Sequence, residues 1–353
     1  MIRKERFLAA LQRKPVDKVP LFDFLFQQPM YQTLIGHYPK DGAYNGRDAV
    51  LCALALEHDA VWVPFGGFSG YKPEFLRENV YKDEWGTTYQ RDKAAWPIDS
   101  PIAYPIKTRE DFLDYKAPDP SSPGRDSEIT AAVNTPNDDM AVLGGVAGPF
   151  STAWLLMGFE NLSYALYDEP DLVTDVFRMA VDFSKEAARR CVQAGCCGIW
   201  VSEDLGDNKS GFINLEMFRT YLLPYLSELV DYIADLGVPV LLHSCGCITM
   251  YLDDLAKTRI SAIHPLQRTA NMDLRSVKEK YGERFCIIGN IDSSRTLPFG
   301  TPADVEAEVR EAIAIAAPGG GYILASDHSL HDGIPIENII ALRDAGLKYG
   351  KYK

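Results

Sequence analysis

The run Leu241-Leu242-His243-Ser244-Cys245-Gly246-Cys247 is where the chain most clearly offers metal chemistry. His243 and Cys245 are two residues apart at the end of an apolar run. In a strand that spacing points both side chains to one face. A neutral imidazole and a thiolate are good zinc ligands, at about 2.1 and 2.3 Å, and Gly246 lets the chain turn just after them. The same residues also suit a buried histidine bonded to a carbonyl beside a small apolar thiol, because a His-x-Cys pair is half a site. Cys247 shares the face only if the strand continues through Gly246. A third ligand should come from a neighbouring strand end. His328, in Ser326-Asp327-His328-Ser329, is the first candidate and His331 a lesser one. Glu203 is the fourth candidate, with a substrate-binding or outer-sphere carboxylate as its other reading.

These residues need strands to carry them. Short, continuous apolar runs at 19–24, 60–64, 141–146, 198–202, 238–245, 261–266, 285–291 and 321–326 read as eight strands. Helical patterns alternate with them at 47–58, 151–168, 170–194, 214–236, 251–257, 273–281, 302–316 and 335–347. Runs of that kind belong to parallel strands buried on both faces. Eight βα units in this length predict an α/β TIM (β/α)8 barrel with an N-terminal helix. A doubly wound open sheet is the rival, but no Gly-rich turn follows the first strand. Residues 66–140, rich in Pro, Gly, Tyr and Asp, read as an inserted segment covering the barrel, with a hairpin around 84–93. The whole of 1–353 is taken as one domain.

In such a barrel the chemistry sits where strands end. Asp23, Glu203, Asp204, His243, Cys245, His264, Gln267, Asn290, Asp292, Asp327 and His328 all fall there. Asp23, Gln267, Asn290 and Asp327 are expected to line a substrate pocket. Each could instead cap a helix or bond a loop.

Composition narrows the function. The 353 residues carry a formal charge of −13, which turns attention away from nucleic acid, since phosphate binding needs a basic surface. The longest apolar runs are far short of the ~20 residues that span a bilayer, and the first residues lack the apolar core of a signal peptide. Seven cysteines, an odd number, fit reduced thiols in a cytoplasm better than a disulfide framework. Cys52, Cys191 and Cys286 read as core, and Cys196-Cys197 as packing at a helix end.

The chain resembles the uroporphyrinogen decarboxylase superfamily, and within it the cobamide-dependent methyltransferase branch. The matching stretches are Ser202-Glu203-Asp204-Leu205-Gly206, Phe218-Arg219-Thr220-Tyr221-Leu222-Leu223-Pro224, Leu242-His243-Ser244-Cys245-Gly246 and Gly320-Gly321-Tyr322-Ile323-Leu324-Ala325. The resemblance implies a TIM barrel and a zinc held by a His-x-Cys pair plus a later Cys. Alignment through Ile323-Leu324-Ala325 puts His328 where that later Cys stands. One thiolate and two imidazoles would leave the ion a stronger Lewis acid than two thiolates and one imidazole, unless Glu203 also binds. Tetrapyrrole decarboxylation fits less well. Uroporphyrinogen's carboxylates call for Arg forks, and no Arg lies between Arg13 and Arg47, where the chain reads Phe24-Leu25-Phe26-Gln27-Gln28-Pro29-Met30.

The expected activity is a zinc-dependent methyltransferase working with a separate corrinoid protein. It would take methyl from a methoxyarene or methylamine, or give methyl to a thiol, with Glu203 or Asp204 as general acid. A homodimer is admitted. The alternatives are a decarboxylase or lyase of the same superfamily, and a non-catalytic barrel that binds a small ligand.

Overall fold

The computed structural model describes residues 1–39, 45–68, 70–91 and 99–352. Its centre is a curled, seven-stranded parallel sheet. In chain order the strands are β1 (Ala60–Pro64), then β6 (Ala141–Ala147), β7 (Gly198–Ser202), β8 (Val240–His243), β9 (Ala262–His264), β10 (Cys286–Ile291) and β11 (Tyr322–Ser326). Each pairs with the next in sequence. Between β1 and β6 the chain makes a separate antiparallel sheet of four strands, β2 (Glu74–Arg77), β3 (Val80–Lys82), β4 (Thr88–Gln90) and β5 (Ser100–Ala103), paired in that order. The hairpin expected around 84–93 is the β3–β4 turn, where the Asp83 carboxylate accepts the Thr87 N–H at 2.9 Å. Residues 92 and 93 of that reading lie outside the described residues.

The strand read at 19–24 takes another form. It pairs through isolated parallel bridges, Leu21 with Leu324 and Leu25 with Leu330. Pro20 has no N–H to give a ladder, and the Leu21 N–H is taken by the Asp59 carboxylate at 2.9 Å. The segment nevertheless touches both edges of the sheet. Leu324 N donates to Pro20 O on the β11 side, and Asp59 N donates to Leu21 O on the β1 side. Asp59 is fully buried and also accepts from Arg6 at 2.5 Å; Arg6 in turn holds Asp17. The N-terminal helix Arg3–Leu11 thus braces the join between the segment and β1.

Two helices expected as continuous are interrupted. The 151–168 pattern is helices Pro149–Met157 and Phe159–Asp168, divided at Gly158. Gly158 has φ +78°, and a Cβ there would meet the Tyr104 ring at 2.9 Å. The 214–236 pattern is a π turn, Phe218–Leu222, leading into helix Leu223–Asp235. Pro224 cannot donate an i→i−4 bond, and a wider turn just before it accommodates that loss.

Alternation along the strands decides what faces inward. Trp62, Trp200, His243 and His264 turn to the sheet's concave side, where they meet Phe22 and Phe24. The Phe24 ring lies 5.0 Å from both Trp62 and Trp200, 5.6 Å from His243 and 5.3 Å from His264. Edge-to-face contacts of this kind are favourable beyond the area they bury. They make a buried aromatic floor beneath the carboxyl ends of β7, β8 and β9.

Candidate metal centre

Three donors converge at those ends. Asp204, His243 and Cys245 each present one ligand atom, and all three atoms lie within 4.8 Å of one another. Cys245 Sγ is 3.2 Å from His243 Nε2, and Asp204 Oδ1 is 3.5 Å from the same nitrogen. Asp204 Oδ1 also accepts the Cys245 N–H at 3.0 Å, and Ser151 Oγ accepts the Asp204 N–H at 2.8 Å. The other ring nitrogen of His243, Nδ1, lies 2.7 Å from Nδ1 of His264. His264 is in register with His243 on the adjacent strand.

The electrostatics suit a cation. Burial keeps the His243 imidazole below its ordinary pKa, so the ring is neutral and Nε2 can offer a lone pair once Nδ1 carries the proton. Burial, with the Asp204 carboxylate next in effect, pushes the Cys245 thiol well up. A carboxylate beside a buried thiol opposes ionisation of the thiol; a divalent cation between them reverses that opposition and draws out the thiolate. The donor set of one sulfur, one nitrogen and one oxygen is one that zinc accepts.

The two loops that carry the donors are locked together by glycines. Gly246 has φ +78°, and a Cβ on it would lie 2.1 Å from Gly206 O. A Cβ on Gly206 would come within 2.7 Å of Cys247 O, and Cys247 N donates to Asp207 O at 2.7 Å. Gln267 closes the other side, its Oε1 accepting the Gly246 N–H at 2.9 Å.

The remaining expected residues fall into three groups. Glu203 is fully buried and points away from the donors, toward the start of helix Pro149–Met157. Its oxygens accept the Phe150 and Ser151 N–H groups, each at 2.9 Å. A Cβ on Gly148 would lie 2.3 Å from Glu203 Oε2, so glycine makes room for this carboxyl. Burial outweighs the two N–H donors and lifts Glu203 to about 8. His328 stands across the mouth, its ring centroid 6.1 Å from that of His243 and its Nδ1 2.9 Å from Ser329 Oγ; burial lowers it to about 4. It is outside the three-donor group.

The four expected pocket residues mostly brace the strand ends. Asp23 accepts from Ser326 N and Oγ at 2.9 and 2.6 Å, and burial raises it to about 7. Asp327 accepts from Ser293 N and Oγ and from Arg268 N. Asn290 donates to Leu266 O at 3.2 Å, and its Oδ1 is buried without a partner among the described residues. It borders a cavity of about 380 Å³ beside helix Pro302–Ala316, with Arg268 and Glu311. Cys52, Cys191, Cys196 and Cys286 are buried, while Cys197, Cys245 and Cys247 are part-buried. Cys247 Sγ lies 3.7 Å from Thr249 Oγ1.

The strand-end reading singled out His264 without giving it a role. Its signal was parity: it ends the strand next to β8 and shares the inward face. Among the described residues no helix is long and apolar enough to cross a membrane.

Known proteins match this architecture over nearly its full length. The solved structure of a methyltransferase from Methanosarcina mazei superposes with a TM-score of 0.75 over 99% of both chains, at 21% identity. The Methylcobamide:CoM methyltransferase MtbA of Methanosarcina mazei is 28% identical over 88% of each chain. A uroporphyrinogen decarboxylase from Anaeromyxobacter dehalogenans is 26% identical over 98% of this chain and 99% of its own. The uroporphyrinogen decarboxylase (URO-D) family model matches residues 97–349, well over half the length, and the chain belongs to that family of enzymes.

Proposed function

We propose that the protein is a zinc-dependent methyltransferase that exchanges a methyl group between a small substrate and the cobalt of a separate corrinoid protein. The observation that carries this reading is the convergence of Asp204, His243 and Cys245 within 4.8 Å on an inward-facing rim. Similarity to a methylcobamide:CoM methyltransferase supports it.

In this reading His243 Nε2, Cys245 Sγ and a carboxylate oxygen of Asp204 hold the ion, with His328 facing them from beyond β11 as the further ligand. When bound, zinc supplies Lewis acidity, either to the heteroatom that parts from methyl or to an acceptor thiol. The chain's own residues do the rest. His264 fixes the His243 tautomer. Phe24 and Trp200 keep water from the floor. Glu203 anchors the β7 end to helix Pro149–Met157, which sets the direction of Asp204 next to it. The proposed fold is a full barrel of one domain, with segment 19–26 in the eighth place and residues 66–140 as its cover.

Metal analysis of the purified protein tests the proposal, together with transfer of methyl to or from a cobamide. One zinc per chain is expected, lost in Cys245→Ser along with transfer. The decarboxylase reading has the decarboxylase relative's comparable identity in its favour. Release of carbon dioxide from a carboxylated substrate without cobamide would replace the proposal.

A further inference from the structure

A second feature of the rim lies beside the donors. Pro64, Ala147 and Ser202, the last residues of β1, β6 and β7, border a cavity of about 200 Å³ beneath the β3–β4 turn. Its walls are aromatic: Trp62, Phe65, Trp85 and Phe183. The Trp85 and Phe183 rings meet edge to face at 4.6 Å, and Phe65 meets Phe183 at 6.3 Å. A Cβ on Gly145 would lie 2.3 Å from the Trp62 indole nitrogen, so glycine lets that ring lie flat against β6. Ser202 stands in register with His243, which puts the cavity's inner end next to the donor group.

The charge in this cavity is balanced. Glu84 is the carboxylate that lines it, and Arg125 grips both Glu84 oxygens, through Nη1 at 2.7 Å and through Nη2. Arg125 also donates to Asp119 O and lies over the Tyr71 and Phe183 rings, 4.5 and 5.4 Å from their centroids. An aromatic cage for a methylammonium ion gains from uncompensated negative charge, and here that charge is met. A sulfonate or carboxylate needs a cation, and the cation here is already held. What remains is space for a flat, uncharged group between ring faces. An apolar cavity of roughly 150 Å³ suffices for benzene, so this one holds a single ring with small substituents.

We infer that the cavity under the β3–β4 turn binds the aromatic ring of an uncharged aryl methyl ether, with its methoxy group toward Ser202 and the three donors. The inference rests on the methyltransferase reading for its methoxy group, but the ring site itself is tested separately.

Calorimetric titration of the full chain with 3-methoxyphenol, tetramethylammonium and 2-mercaptoethanesulfonate separates the three chemistries. The phenol ether is expected to bind, and the other two at least roughly tenfold more weakly. Ala147→Leu, which fills the cavity, and Trp85→Ala, which removes a wall, should each weaken the ether roughly tenfold or more. Trp85→Phe should restore most of that loss. Unchanged melting temperature and zinc content identify variants that have folded, and Ala147→Leu keeps the test open should Trp85→Ala not fold. Cys245→Ser should bind the ether within about threefold of the parent while losing zinc. Failure of methyl transfer with ether binding intact would sink the enzymatic reading and leave the ring site standing. No ether binding, equal binding in Ala147→Leu, or preference for tetramethylammonium or the thiol sulfonate would overturn the ring site.

Discussion

Nδ1 of His243 and Nδ1 of His264 lie 2.7 Å apart, so the one proton between them decides whether Nε2 of His243 faces the mouth with a lone pair or with a hydrogen. If His243 carries it, Nε2 is a donor to a cation and His264 must hold its own proton on Nε2. That Nε2 is buried and without a partner among the described residues. The other tautomer puts a hydrogen on His243 Nε2, pointing at Cys245 and Asp204, and blocks ligation.

Replacing His264 by Leu should therefore weaken metal binding without touching a ligand. Loss of the outer partner of a ligating histidine typically lowers affinity about 10–100-fold. Competition against a chromophoric zinc chelator reads this directly. Affinity equal to the parent's would remove His264 from any positioning role.

Adjacent carboxylates should separate cleanly. Asp204→Asn is expected to lower zinc affinity and methyl transfer. Glu203→Gln is expected to keep zinc but lose about 1–3 kcal/mol of stability, because its amide cannot accept from both the Phe150 and Ser151 N–H groups as the carboxyl does. Denaturant unfolding and metal content of the two variants, measured side by side, check the division. Zinc loss in Glu203→Gln would reverse the assignment.

Above about pH 7, where the buried histidines are largely neutral whether the chain is folded or not, stability should fall as pH rises. Burial places Asp23 at about 7 and Glu203 at about 8, against ordinary values of 3.8 and 4.5. Between those limits each of these two carboxyls is more protonated in the folded chain than in the unfolded one. Each group's stabilising contribution is then complete below its ordinary value and is lost as pH climbs through its raised one. The slope is at most about 1.4 kcal/mol per pH unit for each proton. Urea midpoints at several pH values between 7 and 9 test this, and Glu203→Gln should flatten the profile.

Arg6→Ala should be among the most damaging surface-distant substitutions. It strips Asp59, which is fully buried, of its guanidinium partner at the join of segment 19–26 with β1. Leaving a buried carboxylate uncompensated costs about 3–5 kcal/mol. A thermal melt of Arg6→Ala beside Asp59→Asn/Arg6→Ala reads it: the double variant should recover part of the loss, since no charge is then stranded.

Much of this was legible in the chain because strand ends and apolar runs are local signals. Seven of the eight runs read as strands are ladders of the parallel sheet, with ends within a few residues. The eighth, at 19–24, pairs only through bridges, because the side chain of Asp59 competes for a backbone N–H, and no local pattern announces a partner 38 residues away. Helix 214–236 looked continuous because amphipathic spacing survives a π turn; Pro224 was the available clue. His243 and Cys245 were found by period-two spacing. The same rule, carried one strand back, distinguishes Asp204 from Glu203: with Trp200 and Ser202 facing inward, Glu203 must face the helices. The cavity beneath the β3–β4 turn was out of reach, since its walls come from five separate stretches joined only by folding.

The glycine contacts between Gly206 and Gly246 have a kinetic meaning. Because each glycine leaves out the Cβ that would strike the other loop's backbone, the loops after β7 and β8 pack together as one clasp. If the proposed ion binds there, it would meet Asp204, His243 and Cys245 already gathered. Its capture would then be governed by dehydration of the ion and departure of the thiol proton. A residue with a Cβ at either glycine would spread the clasp, and uptake would acquire a conformational step.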